Sequence, residues 1–194
     1  MLALVVLAGA LAAAPTALAA GRMPELPQRY SVSVFYSLKG KSFRIERHFH
    51  RDEGWSRLTI FSQNDPVFGQ LDDVRTNTAH SWTPSWCTVS TACSTKPCAL
   101  EMFPPMGAGT NYTLAERREF LRGNECDVWS EFDALGVKKR SIWIQRSTQL
   151  PVQLWSSQFM ADGIEGGIMA LQTKRGVNSN HLRLPSQCTK LGGL

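Results

Sequence analysis

Short runs in which apolar and polar residues alternate constrain the fold of this chain more than any other feature. One run covers residues 30–36, and after a turn at Lys39-Gly40-Lys41 another covers residues 43–49. Alternation with a period of two is typical of strands that bury one face. The cluster Asp52-Glu53-Gly54 then precedes a third run at residues 55–61. The pattern therefore predicts three consecutive hairpin strands.

The C-terminal half returns to the same pattern, which predicts four further strands at residues 126–134, 138–147, 151–159 and 167–173. Between residues 64 and 105 the alternation weakens, and we expect one or two short strands and a loop tied by cysteines.

Residues 113–122 are interpreted as the single helix of the chain. Thr113 and Glu116 have the spacing of a capping box, and Leu114, Phe120 and Leu121 supply an apolar stripe. One helix among many strands predicts a mostly β (α+β) fold, with curved antiparallel sheets that form a half-barrel or a sandwich.

Composition supports a globular protein and excludes several other classes. The chain has 194 residues, of which 43% are hydrophobic and 19% charged, unlike a disordered protein or a coiled coil. The net charge is +5, but lysine and arginine are spread along the chain rather than clustered as in nucleic-acid-binding proteins. We expect a single domain over residues 21–194 and no nucleic-acid partner.

Residues 1–20 contain no charged side chain and reach the small residues of Ala17-Leu18-Ala19. This predicts a signal peptide and a secreted protein, extracellular or in the secretory or endolysosomal lumen. The basic start of a typical leader is absent, which leaves an uncleaved membrane anchor as the alternative.

The cysteines follow the predicted leader, and a secreted chain normally oxidises them. Two disulfides and one free thiol are expected, and spacing alone does not fix the pairing. No Cys-x-x-Cys occurs, so we expect no zinc site. The five residues are Cys87, Cys93, Cys98, Cys126 and Cys188. The sequence Asn111-Tyr112-Thr113 predicts a glycosylated Asn111 in an exposed loop.

Three tryptophans are predicted to lie side by side on neighbouring strands of the C-terminal hairpins. If the turns are centred on Gly136 and Gln149, Trp129 faces Trp143 and Trp143 faces Trp155 across neighbouring strands. The same registers place Val128 opposite Ile144, and Ile144 opposite Leu154, on the other face. This part of the sheet is therefore expected to be apolar on both sides.

A sheet that is apolar on both sides has two interpretations. Either a second sheet and the helix cover it and the tryptophans are ordinary core, or the tryptophan face lines a cavity for an apolar ligand. A cavity of about 300 Å³ or more beside a tryptophan would favour the second interpretation. The expected ligand-binding residues are Trp129, Trp143, Trp155, Tyr36 and Phe49.

No catalytic motif is present, because the chain lacks a nucleophile elbow, a zincin motif and a phosphate-binding glycine loop. His48 and His50 share one strand face, but no third ligand is evident, and both are interpreted as solvated. We expect no catalytic residue, cofactor or metal. A structural or adhesive domain without a small ligand, and a hydrolase with an unrecognised site, remain as alternatives.

The order of several segments resembles the ependymin-related family of secreted proteins. The segments are the two N-terminal strands, Phe103-Pro104-Pro105, Val128-Trp129, Leu150-Pro151-Val152 and the tail Leu184-Pro185-Ser186-Gln187-Cys188. The resemblance implies a fold similar to that of bacterial lipoprotein carriers. It also implies a hydrophobic or lipid-like ligand bound between sheets, with calcium and extracellular protein partners in some members.

The chain departs from that family in its cysteines. Leu150 stands where the family has a cysteine, and no cysteine occurs between Arg22 and Tyr30. At least one family disulfide therefore cannot form. The resemblance still implies that Cys188 is bridged to the segment from Cys87 to Cys98, and the sequence leaves a homodimer open.

Overall fold

Eleven antiparallel strands form one sheet in the computed structural model, which describes residues 23–93, 103–106, 111–177, 180 and 183–189. The strands are β1 (Arg29–Leu38), β2 (Lys41–His50), β3 (Trp55–Ser62), β4 (Asp65–Asp73), β5 (Thr78–Trp82), β6 (Cys87–Thr91), β7 (Tyr112–Leu121), β8 (Asn124–Phe132), β9 (Lys138–Gln145), β10 (Leu150–Ser156) and β11 (Ile168–Arg175). Two short helices, α1 (Ser157–Ala161) and α2 (Ser186–Thr189), and a 3-10 turn at Glu165–Gly167 complete the described fold.

The strand order is β6-β5-β4-β3-β2-β1-β11-β10-β9-β8-β7, so β1 and β11 meet in the middle and β6 and β7 are the edges. Hairpins build both halves outward from this central pair. The sheet is curved and does not close on itself. The mostly β prediction is confirmed, and of its two forms the half-barrel applies because one sheet contains every described strand.

One side of the sheet, called here the first face, carries the larger core. Alternate residues of β1 point to it, and Tyr30, Val32 and Val34 are almost fully buried there. Tyr30 stacks on Phe49 of the neighbouring strand, with ring centroids 4.6 Å apart. The other buried members of this core are Leu26, Met106, Leu114, Trp129, Ile142, Ile144, Leu154, Ile164, Met169 and Leu171.

The opposite side, called here the second face, carries a smaller core where β3 to β6 lie. Leu71 and Trp82 are buried on it, and Trp55 and Leu184 pack against them. Cys188 of α2 is bonded to Cys87 of β6, with the sulfur atoms 2.07 Å apart. The C-terminal segment is thereby fixed over the second face.

The cysteine predictions can be compared with these bonds. Cys188 is bridged within the segment that the family resemblance implied, and the partner is Cys87. Cys93 is also disulfide-bonded, and Cys126 is a buried free thiol. Cys98 and the predicted signal peptide at residues 1–20 lie outside the described residues. In the part of the chain that the structure covers, no helix has the length and apolarity to cross a membrane.

The predicted helix at residues 113–122 is wrong, because this segment is the edge strand β7. Leu114 is buried against Trp129 of β8, while Phe120 is 75% exposed. The pairing of β7 with β8 shifts twice, and Arg118 has a positive φ of 62°. Such irregularities break the alternation of a strand. Pairing with a buried neighbour outweighs the local preference for a helix.

The predicted tryptophan registers are also wrong. Trp129 lies opposite Ile142, and Trp143 lies opposite Val128, one residue away from the expected pairing. A shift of one residue moves a side chain to the other face. Trp155 lies opposite Ser141 rather than Trp143, a shift of two residues that keeps both indoles on one face. Trp129 therefore belongs to the first face, and Trp143 and Trp155 to the second.

The region between residues 64 and 105 contains three strands, β4 to β6, rather than one or two. The expected doubly apolar hairpins are partly replaced by polar pairs. Ser130 and Ser141 lie opposite each other on the second face, each 1% exposed, with their Oγ atoms 2.7 Å apart.

Candidate functional site

A cavity of about 510 Å³ opens on the second face of the sheet, at its centre. Its lining comes from β1, β2 and β11, together with residues from two connections. The lining residues are Phe35, Tyr36, Ser37, Ser42, Phe43, Arg122, Glu165, Ile168, Ala170, Leu171 and Gln172.

The register explains why the floor of this cavity is mainly apolar. Phe35 pairs with Ala170 across the β1–β11 ladder, and both side chains point to the second face. Ile168 lies two residues before Ala170 on β11, faces the same side, and is 40% exposed. A short aromatic and aliphatic patch is thereby left open in the middle of the sheet.

Small polar residues border this patch on the hairpin side. Ser37 of β1 pairs with Ser42 of β2, next to the turn that joins the two strands. Gln172 lies two residues beyond Ala170 on the same face of β11. The wall therefore combines an apolar floor with a few hydrogen-bonding groups, as ligand pockets commonly do.

A cation reaches the cavity from a distant part of the sheet. Arg122 and Gly123 form the two-residue turn of the β7–β8 hairpin, and both have positive φ angles, 51° and 79°. This is the backbone geometry of a tight hairpin turn. Two strands, β9 and β10, lie between β8 and β11 in the sheet order. Curvature of the sheet is therefore what brings this hairpin tip to the cavity.

The lining also includes an anion. Glu165 belongs to the 3-10 turn that precedes β11, and its carboxylate accepts a hydrogen bond from the backbone N–H of Gly40 at 2.9 Å. A single bridge between Leu38 and Ile164 joins the same two connections. The hydrogen bond and the bridge together hold the β1–β2 turn against the segment before β11.

The three tryptophans do not line the cavity, and the structure separates them. Trp129 is 5% exposed and packs in the first-face core, which is the ordinary core role considered from the sequence. Trp155 lies beside the cavity because it pairs with the lining residue Ile168. The ammonium group of Lys138 lies 5.5 Å from its ring centroid. Trp143 pairs with Gln153, one strand further away.

Of the other two residues predicted to bind a ligand, only one borders the cavity. Tyr36 borders the cavity, while its ring stacks on Phe43 at 5.4 Å and packs against the first-face core. Phe49 is fully buried under Tyr30 and does not border the cavity. Asn111 is exposed, as expected for a glycan acceptor, and its glycosylation stays a prediction.

Several lining residues were missed by the sequence analysis. Phe35, Ile168 and Ala170 belong to alternating strands that were predicted, but the face they share emerges only when β1 pairs with β11. That pairing joins segments more than 130 residues apart and leaves no local signal. Arg122 had one usable signal, since the turn-forming residues Gly123 and Asn124 follow it directly, just before the strand predicted from Cys126.

No protein-family model and no curated protein matches this sequence. Among solved structures, the chain is similar to an uncharacterized conserved protein from Thermus thermophilus, with a TM-score of 0.54 and 9% identity over 83% of this chain and 88% of that one. It is also similar to a chain of the MucA/MucB complex of Pseudomonas aeruginosa, with a TM-score of 0.39 and 10% identity over 82% of this chain and 56% of that one. The first likeness shows a shared fold, and the second supports no inference at that score.

Proposed function

We propose that this protein is a secreted, non-enzymatic carrier that holds a hydrophobic or lipid-like ligand in the cavity at the centre of the second face. The observation that carries the proposal is the cavity of about 510 Å³ with Phe35, Ile168 and Ala170 on its floor. Its volume lies within the range of small-molecule sites. The Cys87–Cys188 disulfide supports an oxidising compartment outside the cytoplasm.

The charged groups of the lining, Arg122 and Glu165, favour an amphiphile over a pure hydrocarbon. In the described residues, no salt bridge engages Arg122, whereas Glu165 is held by the Gly40 N–H. An anionic head group would therefore meet a cation beside the apolar floor. Burial of about 300 Å² of acyl surface contributes about 7 kcal/mol, from which the cost of association must be subtracted. The attraction between Arg122 and the head group adds to this apolar contribution.

The resemblance to the ependymin-related family belongs to the same proposal. Its implied bridge from Cys188 to the Cys87 region agrees with the observed bond. The proposal includes kinship with that family and an extracellular protein partner, but it assigns no surface to such a partner.

Two measurements test the carrier proposal. Organic extraction of the purified protein followed by mass spectrometry should release a bound amphiphile. A fluorescent fatty acid titrated into delipidated protein should bind and change the emission of Trp155, which lies beside the lining residue Ile168.

Substitutions then locate the site. Ala170→Trp fills the floor of the cavity and should weaken probe binding at least tenfold, while Ala115→Trp, an exposed position on β7, should leave it unchanged. Arg122→Gln should weaken binding of a fatty acid more than that of its uncharged methyl ester. An empty extract together with no probe binding by the native protein would favour the structural or adhesive alternative.

A further inference from the structure

The turn between β2 and β3 gathers three side chains of metal-binding type. His50 ends β2, and Asp52 and Glu53 follow in the turn. One ligand atom from each lies within 4.8 Å of the other two. Backbone hydrogen bonds from Glu53 N–H to the His50 carbonyl and from Gly54 N–H to the Arg51 carbonyl, at 3.2 and 3.3 Å, tighten this turn.

His50 is the unusual member of the cluster. It is 1% exposed, yet neither of its ring nitrogens has a hydrogen-bond partner within the described residues. Buried polar groups in native proteins are nearly always paired. The Nδ1 atom lies 3.8 Å from Oε1 of Glu53, which is too far for a hydrogen bond but directs the nitrogen toward the carboxylates.

A positive charge already occupies the cluster. The guanidinium of Arg29 donates to Oδ2 of Asp52 at 2.8 Å and to Oε1 of Glu53 at 2.6 Å. It also lowers the pKa of the Asp52 carboxyl, chiefly through that hydrogen bond. The Arg29 side chain is 46% exposed, so it can leave the carboxylates without unpacking any core.

We propose that His50, Asp52 and Glu53 form a binding site for a divalent transition-metal ion, with zinc as the best fit, and that Arg29 is the internal cation which the metal displaces. One imidazole nitrogen and two carboxylates match a three-ligand zinc site whose fourth position holds water. Calcium is disfavoured, because it takes six to eight oxygen ligands.

The geometry requires a small contraction. Tetrahedral zinc with bonds of about 2.0–2.2 Å needs ligand atoms about 3.4 Å apart, closer than the 4.8 Å limit of the cluster. The two carboxylates can supply this movement, since the side chains of Asp52 and Glu53 are 40% and 44% exposed. His50 stays fixed in its buried position.

The site lies apart from the cavity and has a structural consequence. The Arg51 N–H donates to the Gln28 carbonyl at 2.9 Å, and the Arg51 side chain donates to the Leu26 carbonyl at 3.0 Å. The metal-bearing turn is thus fastened to the segment that leads into β1. A bound metal would stabilise the attachment of that segment to the sheet.

Isothermal titration of tag-free, metal-stripped full-length protein with zinc chloride tests the site. We expect binding of one zinc ion, weaker or undetectable binding of calcium, and a higher Tm with zinc present. His50→Gln should lower the zinc affinity at least tenfold. Arg29→Gln should raise it severalfold, because the competing cation is removed. His80→Gln, on β5, is the matched control and should behave as the native protein.

Three results would overturn the proposal. These are absence of zinc binding by both the native protein and Arg29→Gln, an unchanged affinity in a folded His50→Gln variant, and a loss of affinity in Arg29→Gln. If His50→Gln does not fold, Asp52→Asn is used instead, because Asp52 is exposed. We expect it to lower the zinc affinity by the same factor. Without zinc binding, the cluster would be an ion-pair network anchored by Arg29.

Discussion

The two cores of this sheet are closed in different ways. Within the described ranges, the first-face core has 14 buried members, which come from both halves of the sheet and from the segments around Leu26 and Met106. The second-face core beneath β3 to β6 contains Leu71, Trp82 and Cys188, and the C-terminal segment covers it. Small apolar cores are commonly reinforced by covalent links. The disulfide therefore compensates for limited packing on the second face.

Removing a central ring should affect the larger core most. Phe49 is fully buried and stacked on Tyr30, so Phe49→Ala should lower the free energy of unfolding by about 3–5 kcal/mol. Urea denaturation measures this loss. Phe120→Ala removes the same ring from a position that is 75% exposed and should change stability by less than about 0.5 kcal/mol. Equal losses would contradict the assignment of Phe49 to the core.

Removing the disulfide should affect the smaller core next. The bond closes a sequence separation of 101 residues, so the double variant Cys87→Ser with Cys188→Ser should lose about 2–5 kcal/mol. Amide hydrogen exchange should show the loss first in β4 to β6, while β8 to β10 keep their protection. A uniform loss across both halves would show that the two cores unfold as one unit.

A glycine in the smaller core should give a lesser effect. Gly69 pairs with Trp82, and a methyl group at Gly69 would collide with the indole ring. Gly69→Ala should therefore cost about 1–3 kcal/mol through overpacking. The double variant with Trp82→Leu should recover part of the Gly69→Ala loss, as a double-mutant cycle by urea denaturation would show. Full additivity would contradict the contact.

The buried serine pair should give an effect no larger than that of Gly69→Ala. Ser141→Ala removes one partner of the 2.7 Å contact and leaves the buried Ser130 hydroxyl without it, which should cost about 1–3 kcal/mol. Replacing both serines with alanine should cost less than the sum of the two single changes. Denaturation of the three variants measures the coupling, and its absence would mean that the hydroxyls find other partners.

The sequence predicted strands well where one face is buried and the other is polar. Seven predicted strands exist, because alternation along 30–36 or 43–49 reports directly which side chains meet the core. The segment at 113–122 failed because shifts in the pairing of β7 change its period, so that an irregular strand carries the spacing of a helix.

Register was harder to predict than strand position. The β8–β9 connection is centred on Leu135 rather than Gly136, since Phe132 pairs with Lys138. A bulge between Glu131 and Phe132 then moves the ladder back by one residue, which leaves it one residue away from the expected register. The β9–β10 ladder shifts again between Pro151 and Gln153. A sequence pattern does not reveal such local shifts, yet one residue decides which face carries Trp129.

The candidate site was predicted only at Tyr36, because it depends on contacts between distant segments. Pairing of β1 with β11 creates its floor, and curvature of the sheet brings Arg122 to its rim. Neither property is encoded in a short stretch of residues. The His50 cluster was also missed, although its members are neighbours in sequence. His50 was interpreted as solvated, whereas it is 1% exposed, and Asp52 and Glu53 were considered only as turn residues.

The burial of the free Cys126 thiol protects the disulfide pairing of the folded protein. Burial raises the pKa of this thiol, with nearby Glu119 and Asp127 adding to the effect, so the reactive thiolate is scarce at neutral pH. Exchange between a thiol and a disulfide proceeds through the thiolate and needs access to the sulfur. In the folded protein, Cys126 therefore does not attack the disulfides of the chain. Disulfide exchange through Cys126 is confined to molecules that have not finished folding.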